Sequence, residues 1–257
     1  MKPHAVGVVI LATRDTGFGD AARLEAVPSS LVAVAGEPLV HRVIRAVKET
    51  PEVAKIVVIA AAEGEFGGEE KFASTGSLGE DILTGLVALG DCAHAVLLPG
   101  DIAFVTGAEI GAFVAAALAR DVQMAYPMVQ RSVCEAAFPD LRRSYFRLAE
   151  GELTGASALY LDVPTFVGNP EIISQAVELR REPWRLALMV DPTVLFAYGA
   201  GRLSTAYIEA AAEKALGVRT AVTILEAPGL ATDIQKPVDL RAARARLGET
   251  GPSPAVS

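Results

Sequence analysis

The stretch "AVLLPGDIAF" sets a bare carboxylate, Asp101, behind an apolar run (95–98) and the pair Pro99-Gly100. An acid at such a strand end presents hard oxygen ligands to Mg²⁺, an ion that shares its coordination shell with substrate phosphates. The other reading of the same acid is a helix or loop cap. Gly17 and Gly19 lie in a long aperiodic stretch, 13–35. Glycines there allow backbone N–H groups close to a phosphate, or serve ordinary loop flexibility. Arg142, Arg143 and Tyr145 make a compact cationic-aromatic group not far from Thr154-Gly155. Adjacent arginines suit an anionic ligand such as a phosphate, or ion pairs with Glu135, Asp140 or Glu150. Other chemistries lack their residues. There is no Gly-Lys-Ser/Thr phosphate loop, and Asp101 is followed by Ile102 and Ala103 rather than by a second acid. His4, His41 and His94 have no metal-ligand spacing, and Cys92 and Cys134 cannot build a disulfide framework or a Cys-rich zinc site. Trp184 has no base-stacking context and is expected to pack.

Asp101 must be held by the elements around it. Residues 5–12 (AVGVVILA) form the continuous Val/Ile-rich run of a strand buried on both faces. Further strands are expected at 53–60, 94–98 and 122–128, with helices opening at Gly36-Glu37-Pro38 and spanning 77–89 and 107–120. Ser77 and Glu80 have capping-box spacing. The polar stretch "EGEFGGEEKFASTG" reads as a loop. Strands alternating with helices predict a mostly parallel sheet covered on both faces. Ligands of such sheets bind beyond the carboxyl ends of the strands, which is where Asp101 and the loop after the first strand would lie. The second half is less regular: a strand at 157–163, helical stretches over 169–190 and 204–217 with Ser204 as N-cap and Gly217 as stop, a strand at 221–226 and a helix over 236–248.

The 257 residues include 51% hydrophobic and 21% charged residues, enough for a sizeable core. No repeat or linker divides the chain, so one domain over 1–248 is expected, with a helical insert at about 169–217 and a disordered tail at 249–257. A net charge of −8 argues against a broad nucleic-acid surface. The N-terminal apolar run is too short to span a membrane and lacks a signal-peptide cleavage pattern. A cytoplasmic protein without a membrane partner is the default expectation.

Three ordered motifs resemble the MobA-like nucleotidyltransferases, a group that includes sugar-nucleotide and cytidylyl transferases. The first is "LATRDTGFGDAARLEAVPSSLVAVAGEPL", in which Leu11-Ala12, Leu31, Gly36, Pro38 and Leu39 match the family's opening pattern. The second is Pro99-Gly100-Asp101-Ile102-Ala103. The third is "DIQKPVDL" (233–240), similar to the family's closing motif. The middle segment "FPDLRRSYFRLAEGELTGAS" (138–157) looks closest to one subgroup.

The resemblance implies an α/β, Rossmann-like (GT-A type) mostly parallel sheet flanked by helices in a single domain. It also implies a reaction in which an NTP and a phosphorylated acceptor give an NDP-linked product and pyrophosphate. Mg²⁺ or Mn²⁺ would be held by Asp101 and Asp233. Leu11, Ala12, Thr13, Gly17, Gly19, Ser29, Thr75, Gly76, Ser77 and Gly100 would face the nucleotide, with Asp81 a further candidate. Arg142, Arg143, Tyr145, Thr154 and Gly155 would face the acceptor. The sequence departs from the family at two charged positions. Ser29 stands where a phosphate-contacting lysine is expected, with Arg14 or Arg23 as substitutes, and Gln235 stands where an acid is expected. The alternative function is therefore a nucleotide- or sugar-nucleotide-binding protein without turnover. The helical insert would cover the acceptor site or form a homodimer contact.

Overall fold

The apolar run at the start of the chain becomes strand β1, Val6–Ala12, with all seven residues buried. In the computed structural model, which describes residues 5–13, 28–61, 66, 69–181, 203–234 and 236–248, β1 lies between β4 (Val53–Ala60) and β6 (His94–Pro99), parallel to both. A strand so placed meets side chains on both faces, which is why it reads as continuous rather than alternating. The strand β5 (Glu70–Ala73) extends the sheet beyond β4, also in parallel. On the other side β10 (Leu159–Asp162) is inserted antiparallel between β6 and β7 (Met124–Gln130). β7 pairs in parallel with β11 (Thr220–Leu225) and antiparallel with β9 (Gly151–Gly155), whose partner is β8 (Phe146–Leu148). Among the described residues this is one nine-stranded sheet. A small ribbon of β2 (Ala33–Val34) and β3 (Glu37–Pro38) stands apart from it.

Eight helices are described: α1 (Leu39–Lys48), α2 (Leu78–Ala88), α3 (Gly107–Leu118), α4 (Arg131–Ala137), α5 (Val163–Gly168), α6 (Pro170–Arg181), α7 (Thr205–Leu216) and α8 (Pro237–Arg246). Successive side chains of β1 point to opposite faces, and two cores follow. Val6, Val8 and Ile10 share one with Val43 and Val47 of α1 and Phe113 of α3. Val9 and Leu11 share the other with Leu86 of α2, Phe166 of α5 and Leu216 of α7. Fully burying each such side chain contributes roughly 1.5–3 kcal/mol, so this double layer dominates the stability. Close approach of α2 depends on Gly85, where a Cβ would collide with Val9.

Two local expectations are corrected. Glu70–Ala73 is a strand, not a loop. Glu70, Lys71 and Ala73 are exposed at the sheet edge, so no apolar pattern betrays them. Ser77 is the N-cap of α2 but makes no side-chain capping bond, and its N–H, which a capping box would give to Glu80, donates to the Thr75 hydroxyl at 3.1 Å. A capping box with both bonds forms at Thr106–Glu109, at the start of α3. Ser204 and Gly217 bound α7 as expected, with the Ser204 hydroxyl accepting from the Tyr207 N–H and Gly217 left-handed at φ +71°. Pro183 and Trp184 and the tail from 249 lie outside the described residues. Among the described residues no helix is long and apolar enough to cross a membrane.

Candidate active site

The carboxyl ends of β1 and β6 lie side by side, and the Gly100 N–H continues their pairing by donating to the Leu11 carbonyl at 3.0 Å. Gly100 has no room for a side chain: a Cβ would stand 2.9 Å from Cβ of Ser30. That close approach seats the Asp101 turn against the 3-10 turn Ser29–Leu31. The Ser29 hydroxyl then donates to Oδ2 of Asp101 at 2.6 Å. From the other side comes a segment far along the chain. Ile102 and Asp233 form an antiparallel bridge, and the Ile234 N–H donates to the Asp101 carbonyl at 3.1 Å. The strand-end acid and the acid of the closing motif are thus neighbours.

Asp101 is only 2% exposed, and its Oδ1 has no hydrogen-bond partner. Burial pushes its carboxyl up to about 7, the Asp233 carboxylate pushes in the same direction, and the Ser29 hydrogen bond opposes them. A buried carboxylate oxygen without a donor, beside a second carboxylate, is suited to a cation. Among the described residues no three Asp, Glu, His or Cys side chains cluster as ligands. A cation held here would take its remaining oxygens from substrate or water, as Mg²⁺ commonly does. The donor set fits that ion.

Tyr126, on β7, joins this group although its sequence neighbourhood flagged nothing. Burial and the Asp233 charge push its phenol up to about 12. Its hydroxyl fills the place where a Gly155 side chain would be. The available signal was a polar-tipped aromatic inside the otherwise apolar "MAYPM". Gly155 and the buried Thr154 lie on β9, opposite Met128 and Val129.

The remaining candidates occupy three settings. Leu11, Ala12 and Thr13 are buried at the end of β1; the Leu11 and Ala12 carbonyls accept from the N–H groups of Gly100 and Ala61. Thr75, Gly76 and Ser77 are exposed before α2, in a loop tied to Asp81 by the Ser74 hydroxyl at 2.6 Å and the Thr75 N–H at 2.7 Å. Arg142 is exposed, whereas Arg143 turns inward and donates through Nε to the Ala231 carbonyl. Tyr145 is partly buried, with the Arg131 guanidinium 5.3 Å from its ring centre. Arg14, Arg23, Gly17, Gly19 and Gln235 lie outside the described residues.

Residues 9–161 match the family described as the MobA-like NTP transferase domain. The chain belongs to that family. The matched region includes Asp101 but ends before Asp233, which folding alone returns to it. Among solved structures, a hypothetical transferase from Thermus thermophilus is 28% identical, with a TM-score of 0.76 over 92% of this chain and 99% of that one. Two others share the fold at 15% identity. CMP:2-keto-3-deoxy-manno-octonic acid synthetase complexed with CTP has a TM-score of 0.57 over 95% of this chain and 99% of its own. The 2-C-methyl-D-erythritol 4-phosphate cytidylyltransferase, also from Thermus thermophilus, has a TM-score of 0.54 over 95% of this chain and 98% of its own. A search of curated proteins found no match.

Proposed function

We propose that the chain transfers a nucleoside monophosphate from an NTP to a phosphorylated small-molecule acceptor and releases pyrophosphate, using a divalent cation held by Asp101 and Asp233. The observation that carries this reading is the unpartnered Oδ1 of buried Asp101 next to the Asp233 carboxylate. Family membership supports the reaction class. An acceptor phosphate oxygen bonds to the α-phosphorus, the bond from that phosphorus to the bridging oxygen breaks, and pyrophosphate carries the electron pair away. Bound Mg²⁺ or Mn²⁺ would supply charge neutralisation at the phosphates.

This chain's residues would act by placement. Ser29 holds Oδ2 of Asp101, which turns Oδ1 to the cation. Thr75, Gly76 and Ser77 would meet the base, on a loop that Asp81 keeps rigid. Arg142 would meet the acceptor phosphate, with Tyr145, Thr154 and Gly155 shaping that side. Arg14 or Arg23 would supply the cationic contact to the triphosphate that Ser29 cannot.

Binding of a nucleotide or sugar nucleotide without turnover is the second reading. The neutral Ser29, committed to Asp101 where the family pattern has lysine, favours it. Thermal unfolding with each NTP, with and without Mg²⁺, followed by pyrophosphate release over a panel of phosphorylated acceptors, separates the two. CTP heads the panel, because two similar structures are a synthetase complexed with CTP and a cytidylyltransferase. A ligand at about 100 times its Kd adds roughly 2.7 kcal/mol. A Mg²⁺-dependent shift with one NTP and pyrophosphate release supports transfer. The same shift with no acceptor consumed supports binding alone. No shift with any NTP overturns both.

A further inference from the structure

Arg142 and Arg143 are adjacent in sequence but differently used. Arg142 faces solvent, while the Arg143 side chain is only 11% exposed. Its Nε donates to the Ala231 carbonyl, and its Nη1 donates to the Arg142 carbonyl at 3.1 Å. The same Nη1 stands 4.0 Å from Oδ1 of Asp239, and Nη2 is buried with no hydrogen-bond partner. Ala231 precedes Asp233 by two residues and Asp239 follows it by six. One guanidinium therefore braces both sides of the segment that carries Asp233. Asp239 is itself fixed by accepting from the Lys236 N–H at 3.0 Å, in the first turn of α8.

Among the described residues this segment has further ties. The Gly229 N–H donates to Oε1 of Glu109 at 2.7 Å, the Ser157 N–H donates to the Leu230 carbonyl at 2.7 Å, and Ile234 bonds to Asp101 as described. Arg143 reaches both the 3-10 turn before Asp233, by a hydrogen bond, and the helix after it, by a 4.0 Å ion pair. A planar guanidinium can address two directions at once; a lysine ammonium on a flexible stem cannot hold both with fixed geometry.

We propose that Arg143 is a positioning residue: it fixes Asp233 beside Asp101 so that the two carboxylates can share a divalent cation, and it does not serve as an acceptor ligand. The inference rests on the cation assignment proposed above, and its test has one arm that is independent of that assignment. Groups that orient metal ligands typically contribute about 10–100-fold in metal affinity.

The test compares the wild type, Arg143→Lys, Arg143→Met and Arg142→Ala. Mn²⁺ binding is followed by electron paramagnetic resonance, and backbone exchange by hydrogen–deuterium measurements on metal-free protein. Both Arg143 variants are expected to weaken Mn²⁺ binding by about tenfold or more, with no rescue by lysine, while Arg142→Ala leaves it unchanged. In both Arg143 variants the Ile234 amide is expected to exchange about tenfold faster or more, while the amides of β11 keep their protection. Wild-type Mn²⁺ affinity and unchanged Ile234 exchange in Arg143→Lys and Arg143→Met would overturn the proposal. If the wild type takes up no Mn²⁺, the cation assignment fails and the proposal is overturned as a statement about metal; the Ile234 amide then reports whether Arg143 still braces the segment. Should Arg143→Met fail to fold, Arg143→Lys carries both measurements.

Discussion

Asp81 and Asp101 are both 2% exposed; Asp101 lies just beyond β6, and Asp81 lies in the first turn of α2, the helix that follows β5. Their surroundings differ. Asp81 accepts from the Ser74 hydroxyl, the Thr75 N–H and the Thr75 hydroxyl, so both of its oxygens are occupied. Asp101 accepts from Ser29 through Oδ2, and its Oδ1 has no partner. A buried carboxylate saturated by donors shapes its own loop. One left half-satisfied beside another acid costs stability unless something positive arrives. The difference teaches that burial alone does not mark a site. The count of donors around the buried group does.

The comparison breaks most visibly at Asp101. Asp101→Asn is expected to lower pyrophosphate release by about 10²–10³-fold while leaving the fold intact, as for loss of one preorganised electrostatic contact. Steady-state kinetics with the NTP and acceptor identified by the panel check this. Retention of activity would remove Asp101 from the chemistry. Asp81→Ala should act in the opposite way, through stability. It strands the Thr75 amide and two hydroxyls, an expected loss of about 3 kcal/mol. For a chain of this size that lowers Tm by roughly 6–12 °C. Calorimetry measures it, and an unchanged Tm would mean that the loop is not held by Asp81.

A pH series sharpens the contrast. The folded Asp101 carboxyl titrates near 7, above the 3.8 of an ordinary aspartate. Between those values the folded state holds a proton that the unfolded state has lost. The stability tied to this proton is therefore complete below pH 3.8 and is lost as pH climbs through about 7. Metal-free Asp101→Asn should accordingly gain stability over the wild type as pH rises from about 5 to about 8, measured by urea unfolding at each pH. A constant difference across that range would mean that the proton is not bound there. Ser29→Ala is the smallest change. It removes one buried hydrogen bond, about 1 kcal/mol. It should also push the Asp101 carboxyl higher still, because the Ser29 bond, together with the backbone N–H of Asp101 itself, opposes burial and Asp233. Mn²⁺ binding at about pH 7 should weaken several-fold, with recovery at about pH 8.5, because more of Asp101 is then ionised. Unchanged Mn²⁺ affinity near neutral pH would show that Ser29 does not tune the acid.

Some of this was legible without tertiary structure. The Val/Ile run of β1 could only be a doubly covered strand, and the Ser204 and Gly217 boundaries of α7 are local backbone chemistry. Asp101 stood out because an acid after Leu97-Leu98-Pro99-Gly100 has no reason in the core pattern. The strand at Glu70–Ala73 was not legible, since it is made by pairing with β4 and its charged residues carry no periodic signal. Nor was the failed Ser77–Glu80 box: the spacing is right, yet the Ser77 N–H goes to the Thr75 hydroxyl. Short-range rules fail where a neighbouring donor or acceptor makes the better bond.

The sequence by itself determined the class of the sheet, the edge on which a ligand would sit and the acid that waits there, because apolar periodicity and caps depend on residues within a few positions of each other. Only the tertiary structure decided which partners that acid has. Ser29 lies 72 positions before Asp101, and Asp233 lies 132 after it. Their convergence comes from sheet order and the backbone pairing of Ile102 with Asp233, long-range contacts that no local pattern encodes. The same physics separates Arg142 from Arg143: adjacent residues point in different directions, and only folding sets one against solvent and the other against the chain that carries Asp233.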